Sequence, residues 1–301
     1  MTSRRIGALS MTPTLVQHHP NTASAPAADA GARARDWAEI QERMLVPLYE
    51  SVYERLEVGP DTRLLGLGCG SGLALLIAAA RGARVTGVEA DTERVALARE
   101  RLLPDAAARG GASGGGPEAS RRLFAGATAA VCEPSAPAYN LVTAFEPLGC
   151  AAGDSEGIAS ALEGAVPLAE RGSPVVIAGW GPPERCATSS VLRVASRLTE
   201  TLRAPHSGRW RPALRDDLED VASRAGLKPD GSGRVSCPFG YADMESAVRG
   251  LLSTGLFDSA VRATDPAQVE KELTEALHPH LRSDGTVWMS NVFRYLIART
   301  P

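Results

Sequence analysis

Residues 63–91, RLLGLGCGSGLALLIAAARGARVTGVEAD, constrain the fold of this chain more than any other stretch. Leu64, Leu65 and Leu67 form a short apolar run bounded by turn residues, the pattern of a strand covered on both faces. Gly68, Gly70 and Gly72 follow, separated by single residues. Glycine lacks the Cβ that holds a ligand off the backbone, and it reaches backbone angles other residues avoid. Residues 73–80 read as an apolar helix ended by Gly82. The free N–H groups of its first turn face whatever lies over the glycines. Residues 84–89 read as the next parallel strand, with Glu89 at its carboxyl end, where an acid can accept from a ribose diol. The unit is a nucleoside-binding half of an open α/β sheet.

The glycine spacing narrows the kind. A dinucleotide fingerprint needs G-x-G-x-x-G, but the third position after Gly70 is Leu73, which disfavours a nicotinamide-dependent oxidoreductase. What stands is G-x-G-x-G, with no phosphate-loop lysine. This stretch resembles the first motif of class I S-adenosylmethionine-dependent methyltransferases of the small-molecule, natural-product or quinone-biosynthesis type. It departs at Gly66, where that family usually carries aspartate. The resemblance is close over residues 64–89 and looser over 37–299.

It implies a doubly wound, Rossmann-like, mainly parallel sheet with an antiparallel closing strand. It implies S-adenosylmethionine as cofactor and methyl transfer to a small-molecule acceptor in secondary metabolism. Carried over by position, the cofactor-binding residues are Gly68, Cys69, Gly70, Gly72, Glu89, Ala90, Ala127, Thr128 and Phe145. At Ala127 the family's adenine-binding aspartate is missing, so Thr128 or backbone groups must replace it. Two lost acids leave a second reading open: a non-catalytic relative that binds an adenosyl ligand or a protein partner. Each lost charge-assisted hydrogen bond costs about 1.5–3 kcal/mol of recognition. A sulfonium methyl donor is already activated, so alignment and exclusion of water can carry much of the rate. His206, Tyr241 and Glu146 are candidate general bases, and the sequence singles out none of them.

Composition excludes several function classes. A formal net charge of -3 and a pI near 6.0 give no sign of a nucleic-acid surface. No window approaches the ~18 apolar residues of a membrane span. Five cysteines, at 69, 132, 150, 186 and 237, form no C-x-x-C pair and cluster with no histidine, so neither zinc nor a disulfide framework is indicated. Reduced cysteines fit a cytoplasmic protein. Self-association into a homo-oligomer stays open.

Along the rest of the chain, residues 1–34 read as a disordered tail, and 35–301 as one methyltransferase-like domain. Trp37, Ile40, Met44, Leu48, Val52 and Leu56 recur at helical spacing, with Pro47 splitting or kinking the helix. Trp37 and Gln41 are candidate lid contacts there. Helices are expected at 92–103, 155–168, 188–202 and 214–225, with helical lid segments over 242–282. The glycine-rich residues 104–120 read as a flexible insertion. Further strands are expected at 121–128, 139–145, 173–179, 233–241 and 286–299. Trp180, in a W-G-P-P turn after the fifth strand, stands where it can wall a substrate pocket.

Overall fold

The structure, a computed structural model, describes residues 30–103, 121–126, 139–199 and 210–301. The first helix, α1 (Ala30–Asp36), begins inside the expected tail, so its last residues are helical. A π-type turn (Trp37–Gln41) and a 3₁₀ turn (Glu42–Leu45) lead into α2 (Val46–Arg55). Pro47 sits in the first turn of α2, where its missing N–H costs nothing. The expected break therefore lies ahead of the proline rather than at it.

Strand β1 (Arg63–Leu67), helix α3 (Leu73–Ala80) and strand β2 (Arg84–Glu89) form the unit read from residues 63–91. Helix α4 (Thr92–Leu102) is capped by Asp91, whose side chain accepts from the N–H groups of Glu93 and Arg94. Then come β3 (Arg121–Ala125), β4 (Leu141–Leu148), α5 (Asp154–Ala165), β5 (Pro174–Trp180), α6 (Thr188–Thr199) and α7 (Asp217–Arg224). Strands β6 (Lys228–Ser236) and β7 (Phe239–Tyr241) precede α8 (Met244–Ser253), α9 (Asp258–Ala263) and α10 (Pro266–Leu277). Strands β8 (Val287–Met289) and β9 (Val292–Arg299) close the chain.

Seven strands form one sheet in the order β3-β2-β1-β4-β5-β9-β6. The first five are parallel, and β9 runs antiparallel between β5 and β6. The antiparallel strand is thus interior, and β6 takes the edge. Two expected long strands are each broken. Cys237 and Pro238 separate β6 from β7, and Ser290 and Asn291 separate β8 from β9. The short halves pair with each other as a two-stranded ribbon above the main sheet.

One face of the sheet is covered by α2, α3, α6 and α8 to α10, burying Leu64, Val176, Phe293 and Leu251 among others. The other carries α5 and α7 over Leu65, Val142, Ile177 and Leu296. At ~25 cal/mol per Å² of apolar surface removed from water, these two layers hold the sheet against its chain entropy. Strand order reverses between β1 and β4, which is where open α/β sheets bind ligands. Among the described residues no helix is long and apolar enough to cross a membrane.

Candidate functional site

The glycines do three different jobs. All have positive φ, at +58°, +58° and +80°. A Cβ on Gly72 would lie 3.0 Å from Leu102 and 3.2 Å from Ala98, so this glycine admits α4 against the turn. A Cβ on Gly70 would lie 2.3 Å from the Trp37 ring and 3.0 Å from Glu42. Only Gly68 is open: the nearest atom a Cβ would meet is a carboxylate oxygen of Glu146, at 3.4 Å. At Gly72 the space a Cβ would take belongs to α4, so the need for glycine there is explained by helix packing.

Glu42 is almost fully buried beneath this turn. It accepts from the Ser71 hydroxyl and, at 3.0 Å, from the Arg101 guanidinium of α4. Burial pushes its carboxyl up, opposed by the Ser71 hydrogen bond and the Arg101 charge. Arg94, also on α4, lies 4.1 Å over the Trp37 ring. Trp37 is therefore sandwiched between a cation and a glycine backbone, and the local π-type winding presents its ring to the turn. Gln41, beside it, is buried and accepts from the Tyr241 hydroxyl at 3.0 Å.

Glu89 ends β2 as expected, and its carboxylate is partly engaged. One oxygen accepts from the Gly70 N–H at 2.8 Å, the other from the Asp91 N–H at 3.0 Å. Each oxygen keeps a lone pair for a further donor. A groove of ≈ 650 Å³ runs from Gly68 past Val88, Glu89, Ala90 and Gly126 to α5. On the far side of Gly68, a smaller cavity of ≈ 110 Å³ is lined by Leu45, Tyr49, Phe145, Trp180, Phe239 and Phe293.

Glu146 stands between the two, and the sheet shows why. Ala144 pairs with Ile177 and Leu148 with Gly179, so three residues of β4 oppose one of β5. Pro147 has no N–H for the ladder, and the resulting bulge releases Phe145 and Glu146 from sheet geometry. Phe145 packs at 4.9 Å from the Tyr49 ring centroid. Glu146 is exposed where it borders the cavities, and the protein packed around it partly desolvates the carboxyl and pushes it up.

Solved structures share this architecture. They include YjhP from E. coli (18% identity, TM-score 0.52, 90% of this chain and 99% of that one). A SAM-dependent methyltransferase from Thiobacillus denitrificans, in complex with S-adenosyl-L-homocysteine, matches at 16% identity and TM-score 0.51, over 89% and 97%. The chain has the class I methyltransferase fold. YcgJ from Bacillus subtilis matches at 15% identity and TM-score 0.50, over 84% and 98%. No family model matches the sequence, and neither does any curated protein.

Within this methyltransferase fold, Gly68, Glu89 and Ala90 border the groove, while Cys69 and Phe145 line the apolar cavity. Cys69 is buried, its N–H donating to Val88 at 3.0 Å and its thiol pushed up to about 12 by burial, so it is a wall and not a nucleophile. Ala127, Thr128 and His206, and residues 104–120, lie outside the described residues. Gly66 cannot carry the family's aspartate unaided, because a Cβ there would lie 2.9 Å from Leu75. Tyr241 is tied to Gln41, and burial pushes its hydroxyl far up, which removes it as a base. The four described cysteines are free and buried. Sequence reasoning missed Glu42, Tyr49 and Arg94, which reach the site only through tertiary packing. Glu42 carried no motif that could have flagged it.

The Trp37 stack gives a direct probe. Binding of an adenosyl ligand at Gly68 is expected to change tryptophan emission, and Trp37→Phe to remove most of that change. A fluorescence titration of both proteins checks this; an identical response would place Trp37 away from the ligand.

Proposed function

We propose that this chain is an S-adenosylmethionine-dependent methyltransferase acting on a small apolar molecule, as in secondary metabolism. The observation that carries the reading is Gly68, an uncovered glycine at the sheet's switch point, flanked by a groove with an acid on its rim and by an apolar cavity. The residues fit the cofactor: the groove has room for an adenosine, and Glu89 has lone pairs for a ribose diol. The Thiobacillus denitrificans relative in fold, whose structure contains the demethylated product, supports the same assignment. Gly68, Glu89 and Ala90 would hold the nucleoside, with the backbone near Ala127 and Thr128 proposed for the adenine.

When bound, the cofactor supplies an activated methyl group on a sulfonium. The chain's own contribution is placement and dryness. Tyr49, Phe145, Trp180, Phe239 and Phe293 form an apolar wall that admits an acceptor and excludes water. Among the described residues lining that cavity, Arg94 is the only cation, and its face is committed to Trp37. A strongly anionic acceptor body does not suit such a wall. Calorimetric titration with S-adenosylmethionine and with S-adenosylhomocysteine tests the reading; absence of binding by both would overturn it.

A second reading, a non-catalytic adenosyl-binding protein, has one observation in its favour: Trp37 covers Gly70, and Glu89 is already bonded to the turn. Binding without any loss of methyl in the presence of a broad set of apolar acceptors would favour it.

Glu89 has its own test. Glu89→Ala is expected to weaken S-adenosylhomocysteine by about 1.5–3 kcal/mol, the range for hydrogen bonds to a charged group. Because the variant also frees the Gly70 and Asp91 N–H groups, affinity alone is ambiguous. The 2′-deoxy analogue resolves it: wild type should discriminate against it, and the variant should not.

A further inference from the structure

We propose that Glu146 is the residue that distinguishes the positively charged methyl donor from its neutral product. The inference rests on the function proposed above and assigns a specificity role within that site.

Six residues line both cavities: Leu67, Gly68, Glu146, Pro147, Cys150 and Leu256. They form the neck between the groove at Glu89 and the apolar cavity. Glu146 is the only charged one among them. No hydrogen bond to its side chain forms among the described residues, and the residue is solvent-exposed where it lines both cavities. The side chain is still reached by solvent, while the protein packed around it weakens its hydration and raises its carboxyl, so a ligand cation at the neck would be a favourable partner. The charges around it do not compensate. Arg94 lowers its proton affinity, while Glu89 and Asp154 raise it, on top of the burial that dominates. The neck is thus short of positive charge.

The chemistry of the ligand names the missing charge. In an adenosyl donor the atom linking the ribose to the amino-acid chain is a sulfonium carrying one positive charge. With the ribose at Glu89, the linking atom belongs where groove and cavity meet, and the carboxylate there is Glu146. The demethylated product has a neutral thioether at the same place and otherwise the same groups. A site with this carboxylate therefore holds the donor and lets the product leave. The β4 bulge makes the arrangement, since Pro147 interrupts the ladder beside the acid.

The test is a set of calorimetric titrations on wild type, Glu146→Gln and Glu146→Asp, each with S-adenosylmethionine and S-adenosylhomocysteine. Melting curves confirm that all three proteins are folded. Wild type should bind the donor about tenfold more tightly than the product, as one opposite charge in a partly desolvated site provides. In Glu146→Gln the two affinities should fall within about twofold of each other, with product affinity held near the wild-type value. Glu146→Asp should keep part of the preference. An unchanged donor-to-product ratio in Glu146→Gln would overturn the inference while leaving the proposed function standing. Failure of both ligands to bind folded wild type would overturn the two together.

Discussion

Gly70→Val abolishes binding of adenosyl ligands and lowers the melting temperature. The sequence alone suggests that such a variant keeps its fold and loses only the ligand's space. The structure adds a structural cost. Gly70 has φ +58°, a left-handed conformation that costs a side chain about 1–2 kcal/mol and a β-branched one more. Its Cβ would also stand 2.3 Å from the Trp37 ring, so the ring must leave its place under Arg94. Moving the turn further disturbs the Gly70 N–H bond to Glu89. Calorimetry and a melting curve on the same sample check both parts. Unaltered affinity in a folded Gly70→Val would show that the turn does not bind the ligand.

Arg101→Ala carries the largest expected loss of stability. Glu42 would keep its buried position and its Ser71 bond but lose its only cationic partner among the described residues. Breaking a buried pair from one side typically costs 3–5 kcal/mol; with Arg101 a quarter exposed, about 3 kcal/mol is expected at neutral pH. The sign of the pH dependence follows from the burial of Glu42, which already holds its carboxyl above the ordinary value. A raised folded pKa means that the folded state binds the proton more tightly, so stability falls as pH rises through that pKa. Without Arg101 the folded value rises further. The deficit relative to wild type should be full above it and shrink as pH drops toward the unfolded carboxylate value of about 4.3. Urea denaturation at several pH values checks this; a pH-independent deficit would mean that lost packing, and not the stranded carboxylate, is responsible.

The architecture was legible where local chemistry and tertiary demand agree. The run from Leu64 to Glu89 needs both a buried strand and a glycine turn, and its pattern allows little else. Breaks in strands were not legible. Phe239 and Val287 continue an apolar alternation through Pro238 and Asn291, and only the ribbon pairing of β7 with β8 shows that the chain changes sheets there. The site divides in the same way. The placement of Glu89 at the end of β2 was readable because a strand end plus an acid is a local signature. Glu42 and Tyr49 were not, since on a single sequence they are ordinary positions on an irregular helix. Spacing alone could not show that the missing Cβ of Gly72 makes room for Leu102 and Ala98 of α4. Glu146 stood among three candidate bases; only the bulge and the two cavities set it apart from Tyr241.

The cover over the glycine turn has a consequence for the order in which the protein assembles. It is fastened by contacts very far apart in the chain: Asp36 with Arg249, Arg33 with Asp258 at 2.8 Å, and Gln41 with Tyr241 at 3.0 Å. Such closures are entropically late, because a loop of some two hundred residues must be ordered before they form. During synthesis the turn at Gly68 to Gly72 leaves the ribosome long before α8 and α9 exist to hold Trp37 and Gln41 in place. A nascent chain therefore presents Gly70 bare, and the finished protein presents it beneath Trp37 with Gly68 still open. Ligand present during translation meets a different surface from ligand added afterwards.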